Sequence, residues 1–202
     1  MGGLCPTPAL FTAAHINFCI MPEPAGASAD ISQAEKKGLE RARDFERLGS
    51  AYALTHATKP STIGLVLSSS PLTLLVWIGE KFRDWTDEDP SIQEILTSVS
   101  LYWLTDTFPT SIYPYRQLFT PGNMGAHENP EWKITKPLGY SWFPYELAPI
   151  PRAWVQTTGN LVFFREHEHG GHFAALERPE VLLGDFQEFV QQILDDGTLK
   201  IA

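Results

Sequence analysis

The apolar positions of this chain change period twice, and the changes divide it into three parts. Residues 15–21 (HINFCIM) read as a buried strand stopped by Pro22, and residues 9–14 before it read as the tail of a helix. A Pro/Gly/Ala loop follows. From residue 31 to about residue 57 the texture is charged and helical, and Ser32 and Glu35 are spaced as a capping box. Thr58-Lys59-Pro60 and Ser70-Pro71 each restart a helix. The second of these places Leu74, Leu75, Ile78 and Phe82 at near-helical spacing, and residues 90–107 do the same with Ile92, Ile95, Leu96, Val99 and Trp103. Residues 108–116, broken by Pro109 and Pro114, are short pieces, and residues 120–132 are a Gly/Asn/Pro loop. After Pro137 strand texture returns at residues 138–143 and 160–165, with a short helix or turn at 149–154 between them. Residues 179–194 close the chain as a helix, apolar at Val181, Leu182, Phe186, Phe189, Val190 and Ile193.

This order predicts an α/β fold in which a helical cap is inserted between strands of one sheet. The expected parts are a residual piece of core over residues 1–30, the cap over 31–119, and a C-terminal core over 120–202.

Composition narrows the class. At 202 residues, 43% hydrophobic and 19% charged, the chain suits one globular domain with an insert. A formal charge of −9 argues against nucleic acid or an anionic membrane surface as the main partner. Two cysteines, Cys5 and Cys19, are too few for a disulfide framework. The longest apolar stretch, residues 63–78, is interrupted by Gly64, three serines and Pro71, and so falls short of the ~18 residues of a spanning helix. With no basic leader at Met1, the cytoplasm is the expected compartment. Six tryptophans and sixteen prolines imply fixed turns and aromatic-lined surfaces rather than a plain helix bundle.

The chemistry concentrates in residues 167–180, HEHGGHFAALERPE. A strand, the turn Gly170-Gly171, His172 and then a helix is how a fold presents a base at the carboxyl end of a sheet. The bland alternative is a turn with a surface histidine. Glu166, His167, Glu168, His169 and His172 could be read as a metal cluster, since alternation along a strand would put His167 and His169 on one face, where they could share an ion. A polar strand end is preferred, because nothing supplies a dedicated outer shell. Cys5 has no basic partner beside it and reads as a small apolar residue. Ser68-Ser69-Ser70 lacks the strand–turn–helix setting of a nucleophile and reads as a helix break. Trp77, Trp85, Trp103 and Phe108 read first as cap core.

Several blocks together resemble the microsomal-type epoxide hydrolases of the α/β-hydrolase fold. They are Gly170-Gly171-His172-Phe173-Ala174-Ala175-Leu176-Glu177, Phe143-Pro144-Tyr145-Glu146-Leu147, Tyr102-Trp103, Thr58-Lys59-Pro60, and the run from Ser69-Ser70-Pro71 to Gly79-Glu80-Lys81-Phe82. They stand in the family's order and match the C-terminal half of its pattern. The resemblance implies that His172 is the general base and Glu146 the acid that orients it. It implies that Tyr52 and Tyr115 hold the oxirane oxygen, with Tyr113 the neighbouring alternative to Tyr115. It also implies a small apolar epoxide as substrate, a vicinal diol as product, and no metal or cofactor. Acid before histidine is the chain order of this fold.

One part of the pattern is absent. The family carries a nucleophilic aspartate on a sharp turn after two glycines, ahead of the strand matched by residues 15–21. Here the first aspartate is Asp30, beyond that strand, and aligning Gly2-Gly3 with the family's pair puts Leu4 in the aspartate's place. The expectation is therefore a partial α/β-hydrolase core of about three strands, mainly parallel, with an exposed sheet edge suited to a complementing chain or a second copy. The covalent route would be closed on this chain by itself. The rival reading is a non-catalytic binding or assembly module.

Overall fold

The computed structural model describes residues 11–27, 30–118, 120 and 130–197. Residues 2–5, with the Gly2-Gly3, Leu4 and Cys5 positions, lie outside them, as does most of the 120–132 loop.

Three strands form one sheet in the order β1-β2-β3: β1 (Ala14–Ile16), β2 (Ile134–Trp142) and β3 (Gly159–Glu166). Both pairings are parallel, Ala14 opposite Leu138 and Leu138 opposite Leu161. Parallel strands need crossovers. Between β2 and β3 the crossover is one short helix, α8 (Arg152–Thr158), preceded by the segment that carries Glu146. Between β1 and β2 it is the whole helical block.

Alternation along β2 explains why its last six residues are buried on both faces. Tyr140 and Trp142 enter a core with Cys19, Met21, Ile150, Trp154 and Val155. Gly139 and Ser141 face the other way, toward α10 (Pro179–Asp195), where Phe189 and Ile193 pack with Phe163. A Cβ on Gly139 would come within 2.5 Å of His15 and 3.0 Å of Phe189, so this strand position accepts only glycine.

The helical block comprises α1 (Gln33–Asp44), α2 (Ala51–Thr58), α3 (Pro60–Leu67), α4 (Pro71–Trp85), α5 (Ile92–Thr105), α6 (Phe108–Ser111) and α7 (Tyr115–Leu118). Ser32 and Glu35 form the expected capping box, and Ser70 caps α4 through the Thr73 N–H, which makes the serine run a helix break. The block has its own core of Leu67, Leu74, Phe82, Ile95, Val99, Phe108 and Ile112, against which Tyr115 and Phe173 pack. Phe173 comes from the C-terminal core, so the two parts share a seam at the histidine loop.

Six expectations need correction. The helical stretch over 31–57 is not continuous: the chain widens into a π turn at Phe45–Gly49 before α2 begins. There the Phe45 ring lies over Gly49, where a Cβ would meet it at 2.6 Å, and Ser50 Oγ turns back to the Glu46 carbonyl. Residues 11–13 are not helical, and pairing stops at Ile16, although Cys19 and Met21 continue into the core. On α5 only Ile95 and Val99 are buried; Ile92, Leu96 and Trp103 face outward. On α10 Val181 and Phe186 are likewise exposed. His167 and His169 do not share a face, since β3 ends at Glu166 and each imidazole meets a different carboxylate. Among the described residues no group of three metal-ligating side chains converges, and no single helix is long and apolar enough to cross a membrane.

Candidate active site

β2 and β3 end side by side, and the loops leaving their carboxyl ends carry the two central residues. After β2 comes Phe143-Pro144-Tyr145-Glu146; after β3 comes His169-Gly170-Gly171-His172. A single bridge, Tyr145 opposite Gly171 with the Tyr145 N–H on the Gly170 carbonyl at 3.1 Å, prolongs the sheet register into both loops. Gly170 has φ +109°, a backbone conformation that glycine accepts readily, and the Phe143 ring fills the space where its Cβ would lie.

This register brings His172 Nδ1 to 2.6 Å from Glu146 Oε1. Glu146 is only 1% exposed, and the same oxygen accepts the Leu147 N–H at 2.6 Å. Its Oε2 is buried without a partner among the described residues. A carboxylate so placed fixes Nδ1 as the protonated nitrogen and leaves the Nε2 lone pair free to accept a proton. The His172 side chain is 23% exposed, walled edge-on by Phe18 at 5.2 Å, Trp85 at 5.3 Å and Phe173 at 5.1 Å.

From Trp85 the aromatic contacts run into the cap. Tyr52 lies 5.1 Å from the Trp85 ring and 5.7 Å from Tyr115, to which it is T-shaped. Tyr52 and Tyr115 are thus brought together, α2 supplying one and α7 the other. Tyr113, at 44% exposed, points out to solvent. Burial, and then the neighbouring Tyr115, push the Tyr52 phenol well above the ordinary tyrosine range, so it stays protonated and able to donate.

Three residues of this neighbourhood escaped the sequence reading. His56 is 5% exposed; its ring meets Tyr115 at 4.8 Å and Tyr52 at 5.5 Å, and its Nε2 accepts from Trp77 Nε1 at 3.2 Å. Burial, helped by Lys81, lowers it to about 4, so it is neutral. Its four-residue spacing from Tyr52 on one helix was the available signal. Lys81 lies over the rings of Tyr52, Trp77 and Trp85 at 5.1, 5.1 and 5.8 Å. Arg41, on α1, donates from Nε to the Glu146 carbonyl at 2.8 Å and from a terminal nitrogen to the Tyr145 carbonyl at 2.9 Å. Of the four tryptophan and phenylalanine positions read as cap core, Phe108 is in it and Trp77 packs against it, Trp103 faces out, and Trp85 lies against Tyr52. A cleft of about 660 Å³ opens beside Tyr52, Trp77 and Trp85, bounded also by Arg41 and Lys81; His172 is not among its lining residues.

No protein-family model matches the chain. It is 48% identical over 180 residues to a Dothistroma septosporum protein that bears the epoxide hydrolase name provisionally, covering 87% of this chain and 41% of the relative. It is 37% identical over 154 residues to epoxide hydrolase 1 of Oryctolagus cuniculus, covering 70% of this chain and 34% of the relative. The epoxide hydrolase structure from Aspergillus niger superposes with a TM-score of 0.84 at 49% identity, over 90% of this chain and 46% of that one. The chain therefore spans less than half the length of these three relatives. Over that span, by sequence and by fold, it belongs to the microsomal-type epoxide hydrolases of the α/β-hydrolase family.

Proposed function

We propose that this chain supplies the water-activating and oxygen-holding half of an epoxide hydrolase site. His172 is the base, Glu146 orients it, and Tyr52 and Tyr115 donate to the oxirane oxygen. The reaction adds water to a small apolar epoxide to give a vicinal diol. A carboxylate attacks one ring carbon, the C–O bond breaks, and the oxygen takes a proton from the phenols. The resulting ester is then hydrolysed by a water whose proton passes to His172 Nε2. The observation that carries this reading is the 2.6 Å contact between His172 Nδ1 and the buried Glu146. The attacking carboxylate has no counterpart ahead of β1 in these 202 residues, where the first aspartate is Asp30.

The site is completed by a segment that carries the aspartate turn and the preceding strands of the sheet. The exposed apolar residues Val181, Leu183 and Phe186 of α10, beside a cleft at His15 and Asn17, favour such docking. The test offers a styrene-oxide-type substrate to the purified chain, with and without a separately expressed N-terminal half of a relative. Diol formation is expected only in the mixture, and His172→Ala should abolish it. A mixture that associates but forms no diol would instead support the non-catalytic assembly reading.

A further inference from the structure

Three consecutive backbone N–H groups of the histidine loop have specific acceptors. Gly170 donates to Asp87 Oδ2 at 3.0 Å, Gly171 to Glu177 Oε1 at 3.1 Å, and His172 to the Trp85 carbonyl at 2.8 Å. Trp85 ends α4, and Asp87 begins the α4–α5 connection, so two of the three acceptors belong to the cap. Glu177 ends the short helix α9 (Ala174–Glu177), and its second oxygen accepts the Asp87 N–H at 2.7 Å. One carboxylate therefore joins an amide of the histidine loop to an amide of the cap that lies 90 residues before Glu177 in sequence. Asp87 also meets His169 Nδ1 at 3.2 Å and Arg178 at 3.8 Å, and Arg178 reaches Glu88 at 2.6 Å.

A Gly-Gly segment has the greatest backbone freedom in any chain, which suits the tight approach here but opposes holding an imidazole still. A Cβ on Gly171 would lie 2.5 Å from the Trp85 carbonyl oxygen and 3.0 Å from Glu177, so the loop runs directly against these groups. Charge-assisted bonds from backbone N–H groups to a carboxylate are short and directional, and they remove that freedom. We infer that Glu177 is a positioning residue for His172: by bridging the Gly171 and Asp87 amides it locks the histidine loop to the cap, so that base and aromatic wall move as one body. This rests on the reading of His172 as the base.

Glu177→Gln is the diagnostic change. It keeps the shape, but its single oxygen satisfies one N–H while its amide group turns a donor against the other. The test uses the full chain labelled with 15N. It reads amide hydrogen exchange together with the downfield Nδ1 proton of His172, identified by its loss in Glu146→Gln. In Glu177→Gln, exchange at Gly171 and Asp87 should rise about tenfold or more while amides of β2 and α10 stay within about twofold. The His172 proton signal should broaden or disappear. Glu177→Asp, one methylene shorter, provides a second variant and should fall between the two. Exchange at Gly171 and Asp87 unchanged in both variants would overturn the inference. So would a uniform rise at all amides with the His172 signal intact, the pattern of a merely stabilising residue. If Glu146→Gln leaves the signal in place, the base assignment fails instead, and the exchange data still decide the latch.

Discussion

Arg41 holds Glu146 by its backbone: the guanidinium Nε donates to the Glu146 carbonyl at 2.8 Å, and a terminal nitrogen takes the adjacent Tyr145 carbonyl at 2.9 Å. One planar fork from α1 thus holds two successive peptide groups of the loop that carries the acid. Lysine offers no such fork. Arg41→Lys should therefore lower stability by about 1–2 kcal/mol, read from the urea midpoint. It should also loosen the Glu146 loop, read as faster exchange at the Leu147 amide.

Gly171 has no room for a side chain. Its Cβ would press on the Trp85 carbonyl at 2.5 Å and the Thr86 Cα at 3.0 Å, both backbone atoms that cannot rotate away. Gly171→Ala should cost about 2–3 kcal/mol and lower the melting temperature by several degrees. The same change at Gly184, where nothing lies within 4 Å, should leave the melting temperature unchanged or raise it slightly.

The neutrality of His56 gives stability a pH dependence. Its folded value is lowered from 6.5 to about 4, first by burial and then by Lys81. In that interval the unfolded chain takes up a proton that the folded chain refuses, so this contribution is complete above about 6.5 and is lost as pH falls toward 4. The slope from this group is at most about 1.4 kcal/mol per pH unit. Denaturant titrations at pH 7.5, 6 and 5 should show His56→Gln losing less stability on acidification than the parent chain does.

Tyr52 should remain a phenol where ordinary tyrosines ionise. Burial and the neighbouring Tyr115 both oppose its phenolate. Tyrosinate absorbance up to about pH 11 should therefore be the same for Tyr52→Phe as for the parent chain. A loss of one tyrosine's worth of absorbance in the variant would show Tyr52 to be an ordinary donor.

The parts legible in the sequence were those marked by turn and cap chemistry. Ser32 with Glu35, Ser70 before Pro71, and Pro179 announce helix starts through rules that act within one turn of chain, and each stands where expected. The blocks around Glu146 and His172 stood out by resemblance, and the loops at adjacent strand ends bring the two side chains within 2.6 Å. What stayed hidden depends on tertiary partners. Ile92 and Phe186 sit at helical spacing yet face outward, since periodicity shows that a face is apolar and not whether anything covers it. Lys81 and Arg41 look like surface cations until three aromatic rings and two carbonyls are found against them. Strand alternation would give His167 and His169 one face, but β3 ends at Glu166, one residue before the first and three before the second.

The sheet's connectivity also bears on the order in which the chain assembles. β2, α8 and β3 form a compact crossover from Ile134 to Glu166, closed by neighbours in sequence, with the last six residues of β2 buried. β1 reaches the same sheet only after a loop that begins at Ile16 and ends at Ile134. Closing so long a loop costs entropy before three residues of pairing return any of it. The C-terminal crossover is thus the natural nucleus, and β1 docks last, once the helices between have shortened the distance. Amide protection should appear along β2 and β3 before it appears at Ala14–Ile16. The β1 edge of the sheet is then the one that stays open longest while the chain folds.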